Sequence, residues 1–496
     1  MFITRHAQIV ASLFAVAACA AHPSRAAWAA AASESNTPEA LASAKARAVT
    51  EELSTWVKEQ RGQVSLYVGR AEPPKEIAAV NADLPLNPAS DTKLLTMATA
   101  LETLGPEWQF TASLCGVQET DSVETLGIVS NGDPTLDREA MTALAIQLLQ
   151  RGVKRVTRVV VDQSAFDDKF TPPAFEQQPN EWAPFRAPVS AVAFNGNTVS
   201  LWVSPAEYGL PPRVVPFPPS FVDLVITART GNPKDKLTPL EVAVSSASAG
   251  LRLKVSGTLP RRSGPVTVSR RIEEPSLFAG YAVADTLRSL GIQVATPSLI
   301  EAGSCKNQPV LAHRSSPPLM TVLQRLGKES DNFTAEMLVK AIGARVTSKP
   351  GATADGIEVI RQWAARIHPL AAGTQLINGS GLFDANRVSA EQFAAVLRYM
   401  RNNPRTGPEF ITSLSVAARD GTLRRRLEKQ SRAVVRAKTG TLNHVVALSG
   451  YIESPGLEPW VFSVLLNGVE SPEPARRKLD AYVLRLIDVF APSSHP

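Results

Sequence analysis

Asn87-Pro88-Ala89-Ser90-Asp91-Thr92-Lys93, running on into Leu94-Leu95-Thr96-Met97-Ala98-Thr99-Ala100-Leu101, reads as the first turn and body of a buried helix. Asn87 is a good N-cap, Pro88 suits the first helical position, and nothing breaks the apolar run until Gly105-Pro106. Ser90 and Lys93 are three residues apart and share a helix face, so hydroxyl and amine can meet. Ser90 also lies near the positive end of the helix dipole, where developing negative charge is tolerated. A serine hydroxyl becomes a nucleophile when a neighbouring base takes its proton. A lysine can be that base when desolvation and a nearby cation lower its pKa. Alone, Ser-x-x-Lys is a weak signal, and its ordinary reading is simply a helix start.

Outward from this stretch the chain reads as a catalytic half interrupted by a long insertion. Upstream, Pro38 to Gln60 has amphipathic helical spacing through Ala42, Ala46, Val49, Leu53 and Trp56. Short strands follow at Val64–Val68 and Ile77–Val80. The character changes near Phe110: Asn131-Gly132-Asp133-Pro134 is a turn, Ala140–Leu149 a helix and Val156–Val161 a buried strand. A stretch rich in proline and aromatics covers Glu176–Pro219. Strand-like segments then run through Phe221–Ile226 and Leu251–Val255. Helical spacing returns at Leu319, Val322, Leu323 and Leu326. Strands are predicted at Arg432–Lys438, Val445–Ile452 and Trp460–Leu466, before a last helix bearing Leu479, Tyr482, Leu486 and Phe490 on one face. The natural assembly is an antiparallel sheet flanked by the first and last helices, with a mainly helical lobe holding Ser90.

At 496 residues the chain exceeds one compact core, and two or three domains are expected. Its 44% hydrophobic and 20% charged content is ordinary for a globular protein. The net charge of +6 suits an anionic partner equally well as none, but no basic run with interleaved aromatics points to nucleic acid. Arg5 and His6 precede an apolar stretch from Ile9 to Ala18, then small residues to Ala32, which is the pattern of an export leader over 1–32. Ala-x-Ala sites end at Ala20 and Ala29; as an alternative, Val16-Ala17-Ala18-Cys19 fits a lipobox that would make Cys19 the lipidated first residue. The apolar part is too short to span a membrane, and no other long apolar segment occurs, so no transmembrane helix is expected in the mature chain. Cys115 and Cys305 are then bound for an oxidising compartment where a disulfide is permitted. Neither cysteines nor histidines show metal-ligand spacing, so neither metal nor other cofactor is expected.

Two further motifs give Ser90 and Lys93 their meaning. Ser330-Asp331-Asn332 follows the helix ending near Gly327, and Lys438-Thr439-Gly440-Thr441 ends a strand. Alone, the first is an Asx-turn or cap and the second a strand end. Together and in this order each has a task. Ser330 can relay a proton between Lys93 and a leaving nitrogen, and the Asn332 amide can hold a substrate amide and the Lys93 region. Lys438 supplies positive charge for a carboxylate, Thr439 a hydroxyl bond to it, and Gly440 room for a substrate backbone. The N–H groups of Ser90 and Thr441 would form an oxyanion hole.

The three motifs, in this order, are the signature of penicillin-binding proteins and class A β-lactamases. Asp420-Gly421-Thr422-Leu423, Ala447-Leu448-Ser449-Gly450-Tyr451, Ala335-Glu336, Gly132-Asp133-Pro134-Thr135 and Ala187-Pro188-Val189-Ser190 sharpen the match. Between about residues 40 and 490 the chain resembles the D-alanyl-D-alanine carboxypeptidases/endopeptidases of the low-molecular-mass class C penicillin-binding proteins. That resemblance implies an α/β (α+β) fold: a penicillin-binding-protein/serine β-lactamase-like transpeptidase domain with a large inserted α/β and β region. The corresponding boundaries are 33–110 and 311–496 for the catalytic domain, 111–189 and 269–310 for the inserted domain, and 190–268 for a small β module. It further implies a periplasmic enzyme acting on peptidoglycan peptides through an acyl-enzyme on Ser90, with β-lactam antibiotics as inhibitors. Endopeptidase action on D-Ala cross-links would share the acyl donor and change only the amine.

One departure is Asn378-Gly379-Ser380-Gly381-Leu382, where the family usually has Asp at the position of Asn378. A β-lactamase is the first rival, but no Glu-x-x-Leu-Asn deacylation motif occurs between Asn332 and Lys438. A slow penicilloyl-accepting or wall-binding scaffold is the second; the full set of catalytic side chains argues against it. Glu336 is read as helix surface or a salt-bridge partner, Arg424-Arg425-Arg426 as a solvated face, and Phe194 and Trp202 as core.

Overall fold

The computed structural model describes residues 38–232, 238–247, 250–428 and 433–491. The expected leader at 1–32, with its Ala20, Ala29 and Cys19 alternatives, lies outside the described residues, as does Arg432 of a predicted strand. Helix α1 (Pro38–Glu59) leads into strands β1 (Gln63–Arg70) and β2 (Lys75–Val80), then into α2 (Lys93–Leu104). After the insertion come α3 (Leu319–Glu329), α4 (Asn332–Thr347), α5 (Thr353–Ile367) and α6 (Ala390–Asn402). Strands β3 (Ser415–Val416), β4 (Val434–Leu442), β5 (Val445–Glu453) and β6 (Trp460–Asn467) and helix α7 (Pro472–Phe490) complete this half. Among the described residues these strands form one six-stranded sheet in the order β3-β4-β5-β6-β1-β2, antiparallel throughout.

Both faces of the sheet are covered, which is why β5 and β6 read as nearly unbroken buried runs with no alternation. On one face Val49, Leu53 and Val57 of α1 pack with Leu479, Val483 and Leu486 of α7 against Leu66, Leu448 and Val464. Thr50 and Tyr482 join the two helices by a buried 2.9 Å hydrogen bond. On the other face Tyr67, Ala447, Tyr451 and Leu465 meet the helical lobe, with Leu94 and Met97 of α2 at its centre. Each fully buried valine, leucine or methionine side chain among these contributes about 1.5–3 kcal/mol. Helix α2 is buried on all sides from Lys93 to Leu101, and within this run Thr96 donates its hydroxyl to the Gly379 carbonyl at 2.8 Å.

The insertion folds around a second sheet. Strands Ser122–Ser130, Arg155–Asp162 and Gln293–Ala302 run parallel, and Thr111–Cys115 and Val310–Ser315 extend the sheet antiparallel. Cys115 and Cys305 form a disulfide across 190 residues of sequence. The sulfurs lie over Gly127 on the neighbouring strand, where an added Cβ would come within 2.4 Å of the Cys115 Sγ. Between these strands, residues 198–271 form small sheets, one of them joining Thr198–Ser204 to Arg213–Phe217 and Val266–Arg271. Phe194 is buried as expected, but Trp202 is 57% exposed. Its strand alternates, with Val199, Leu201 and Val203 pointing inward, and Trp202 belongs to the outward set.

The start of α2 also differs from the expectation. Residues Ala89–Thr92 form a 3₁₀ turn, and the α-helix proper begins at Lys93. Asn87 is not the N-cap, a position that Pro88 takes for the turn and Thr92 for the helix; its Oδ1 accepts the Ala89 N–H at 2.9 Å just before the chain reverses at Ala89, whose φ of +46° is left-handed. Thr92 holds this conformation by donating its hydroxyl to the Ala89 carbonyl at 2.9 Å. The turn therefore presents Ser90 from a tight corner held by polar side chains.

Candidate active site

Lys93 is fully buried, and its Nζ donates to Ser90 Oγ at 2.9 Å, Asn332 Oδ1 at 2.7 Å and the Ser380 carbonyl at 2.6 Å. Burial pushes its pKa well below the usual lysine range, and the charge of Lys438 lowers it further. A lysine so depressed can stand neutral beside Ser90 and accept its proton. Ser330 caps the C-terminus of α3 in the left-handed conformation, φ +60°, while Asp331 caps α4 by accepting the Thr334 N–H at 3.0 Å. The ordinary reading of Ser-Asp-Asn as a cap holds for Asp331, and Ser330 and Asn332 on either side of it line the same cleft as Ser90.

Lys438 is also fully buried, on β4, and donates to Ser330 Oγ and to the Thr439 carbonyl, each at 2.8 Å. Burial lowers its pKa to about 8, against the opposing pull of Asp91. The motifs therefore meet as two pairs, Ser90 with Lys93 and Ser330 with Lys438, where sequence reasoning linked Ser330 to Lys93. Three more motif residues have partners or close neighbours within the protein. The Asn332 amide nitrogen donates to the Phe185 carbonyl at 3.1 Å, so its donor end faces the insertion. Thr439 gives its hydroxyl proton to Thr422 Oγ1 at 2.8 Å. At Gly440 an added Cβ would come within 2.6 Å of the Pro88 carbonyl, so the missing side chain makes room for the nucleophile turn itself. Thr441 lies next on β4 and lines a cleft of 910 Å³ with Ser90, Ser330 and Asn332.

Residues that sequence reasoning missed line the cleft or pack behind it. Glu336, expected at the surface, is fully buried on α4 and accepts the Ser380 N–H at 2.7 Å; burial raises its pKa. Its signal was present in Ala335-Glu336 directly after the motif, one helical turn along the buried face of α4. Gln177, Gln178 and Phe185 reach the cleft from the insertion. Lys340 ties that segment down through Asp167 at 2.5 Å and the Lys169 carbonyl at 2.8 Å. Asn378 is buried, donating to the Pro173 and Leu382 carbonyls and accepting the Gly381 N–H at 2.9 Å. An aspartate there would lack the donor, which accounts for the amide. Of the three arginines, Arg424 and Arg425 are exposed and Arg426 pairs with Asp480 at 2.6 Å.

Comparison with known proteins decides the family. A model described as the D-Ala-D-Ala carboxypeptidase 3 (S13) family matches residues 49–487. The chain belongs to this family. It is accordingly a serine-type D-Ala-D-Ala carboxypeptidase. A D-alanyl-D-alanine carboxypeptidase of Actinomadura sp. (strain R39) is 30% identical over 431 residues, covering 81% of this chain and 77% of that protein. The carboxypeptidase DacB of Haemophilus influenzae is 26% identical over 79% of this chain and 82% of its own length. In three dimensions this S13 member is similar to penicillin binding protein 4 of H. influenzae, with a TM-score of 0.70 at 21% identity over 88% of this chain and 97% of that one. The same H. influenzae protein solved with a novel β-lactam gives 0.68 over 88% and 99%. Those two structures establish the shared penicillin-binding fold.

Proposed function

We propose that the enzyme works through an acyl intermediate on Ser90, with Lys93 as base, and releases terminal D-alanine from peptidoglycan stem peptides. The observation that carries this reading is the 2.9 Å contact between Ser90 Oγ and a fully buried Lys93 whose basicity is depressed. Lys93 takes the hydroxyl proton as Ser90 attacks the penultimate D-Ala carbonyl, and the N–H groups of Ser90 and Thr441 receive the oxyanion. As the adduct collapses, the proton reaches the leaving nitrogen through Ser330. Lys438 and Thr439 hold the terminal carboxylate, and Asn332 exchanges its Phe185 contact for the substrate amide. Water then releases the acyl group. The same acyl donor serves a D,D-endopeptidase, in which the amine belongs to a neighbouring stem peptide.

The placement of the chain follows from this substrate. We assign residues 1–32 to an export leader and the enzyme to the periplasm, with lipidation at Cys19 as the alternative to cleavage near Ala20 or Ala29. The Cys115–Cys305 disulfide supports an oxidising compartment. No helix among the described residues is long and apolar enough to cross a membrane. The domain limits 33–110 with 311–496, 111–189 with 269–310, and 190–268 belong to the same reading. β-Lactams are proposed inhibitors, supported by the H. influenzae relative's complex. The test is release of D-alanine from a D-Ala-D-Ala peptide by wild type and its loss in Ser90→Ala; undiminished release by the folded variant would remove Ser90 from the mechanism.

A further inference from the structure

Two serines interrupt strands that are otherwise apolar. Ser449 on β5 and Ser463 on β6 are fully buried cross-strand neighbours with Oγ atoms 2.9 Å apart. Ser449 also pairs in register with Lys438 on β4, and its hydroxyl donates at 2.6 Å to Asp91 Oδ2. Asp91 lies between Ser90 and Lys93 in the 3₁₀ turn, is 0% exposed, and has no hydrogen-bond partner on Oδ1. A buried carboxylate with a bare oxygen is costly unless nearby positive charge compensates it. The cations that act on it come from three elements: Lys438 on β4, Lys93 on its own turn, and Arg426 from the segment before β4. Lys93 in turn feels Glu336 and Asp331 from α4 and its cap.

The chemistry needs the two motif lysines in opposite states. Lys93 must be neutral to take the Ser90 proton, and Lys438 must be charged to meet a carboxylate. Burial drives both toward neutrality, and two charges so close in a dry site repel. Asp91 is the buried anion near both: it precedes Lys93 by two residues, and its partner Ser449 pairs in register with Lys438. We propose that Asp91 is the positioning residue that sets the proton balance of the site: ionised, it keeps Lys438 protonated, and burial together with the Lys438 charge keeps Lys93 neutral. This rests on the acyl-enzyme reading and adds to it the group that sets its working pH. Burial also pushes Asp91 upward, to about 7, so its own charge fades on the acid side and is complete on the alkaline side, where Lys438 most needs it.

The test compares pH profiles of kcat/KM on a D-Ala-D-Ala peptide for wild type, Asp91→Asn and Ser449→Ala between about pH 5 and 10. Asn keeps the shape and can accept the Ser449 hydroxyl but carries no charge. Without that charge Lys438 loses its proton more easily, so the alkaline limb of the Asp91→Asn profile should move to lower pH by about half a unit or more, while the acid limb, where Asp91 is itself protonated, moves less. Above neutrality KM should rise more than kcat falls. Ser449→Ala breaks the contact but keeps the carboxylate, and should move the alkaline limb by less than Asp91→Asn does. In a Lys438→Arg background, where the cation cannot deprotonate, Asp91→Asn should no longer shift that limb. A profile lowered but not shifted in Asp91→Asn, or an equal shift in Ser449→Ala, would make Asp91 merely structural. Should Asp91→Asn fail to fold, Asp91→Ser reads the same limbs: a shift to lower pH supports the proposal, and an unshifted profile overturns it. Mass spectrometry of the penicillin adduct keeps the two levels apart: wild type acylated on Ser90 with an unmoved variant profile overturns this inference alone, whereas no Ser90 adduct in wild type overturns the reading beneath it.

Discussion

Lys438 makes two hydrogen bonds from a fully buried position, and one of them holds Ser330. Replacing it with Ala removes the carboxylate's partner and frees Ser330 together. Loss of a charge-assisted hydrogen bond in a partly dry site costs on the order of 2–4 kcal/mol. That corresponds to roughly 30- to 1000-fold in kcat/KM, at about 1.4 kcal/mol per tenfold. Steady-state kinetics on a D-Ala-D-Ala peptide checks this; an unchanged value would mean another cation, such as Arg424, meets the carboxylate. At this scale the motif residues were legible because each belongs to a short pattern with a chemical task. Glu336, Ser380 and Asp91 were not, because what defines them is burial. Only its place one turn after Asn332 separates Glu336 from a surface glutamate on a helix, and Asp91 is one polar residue among several in its turn until β5 is laid beside it.

The nucleophile turn depends on a neighbouring loop as much as on its own sequence. Gly381 has φ +73°, and a Cβ there would lie 1.8 Å from the Ala89 carbonyl oxygen. Gly381→Ala must therefore push the turn away from the loop or distort the loop itself. We expect a loss of about 1–3 kcal/mol in unfolding free energy. Acylation by a small β-lactam should slow by about tenfold or more, since a shift of under about 1 Å at Ser90 disturbs its alignment. Denaturant titration and stopped-flow acylation read the two effects, and wild-type values in both would show that the turn tolerates the displacement. Most elements were legible here: α1 and α7 from their apolar stripes, and β1, β5 and β6 from long apolar runs. The 3₁₀ turn was not, because Asn87-Pro88 is the usual opening of an α-helix, and the reversal at Ala89 is set by contacts from Thr92 and the Gly381 loop. Trp202 was misread for a different reason. Its strand's period of two put it outward, but its size suggested core.

The insertion is bound to the catalytic half through several threads. The Phe185 carbonyl meets Asn332, Asp167 meets Lys340, and Val189, Ala191 and Ala193 share a core with Leu338 of α4. Residues 205–265 lie beyond these threads, and Val203 pairs with Val266, so a short turn could close the gap. Replacing 205–265 by such a turn should leave Ser90 acylation by penicillin within about threefold of wild type, because less than about 0.7 kcal/mol of barrier is at stake. Its loss in a folded variant would place part of the site's support there. The disulfide is a second test of the insertion. Cys115→Ser with Cys305→Ser should lower stability by about 2–4 kcal/mol, measured by urea unfolding, while acylation of the folded fraction persists. Which residues of the insertion face the cleft depends on tertiary contacts such as those of Gln177 and Phe185, whose segment has no periodic pattern to read.

The central claim is that Ser90 forms the acyl-enzyme, and brief exposure to penicillin tests it most directly. The opened β-lactam keeps its amine tethered where the deacylating water would approach, so the adduct should persist. Intact-mass spectrometry should show one added drug, mapped by peptide digestion to the segment containing Ser90 and absent from Ser90→Ala. Label on Ser330 or Ser380 instead, or an adduct that survives Ser90→Ala, would contradict the assignment.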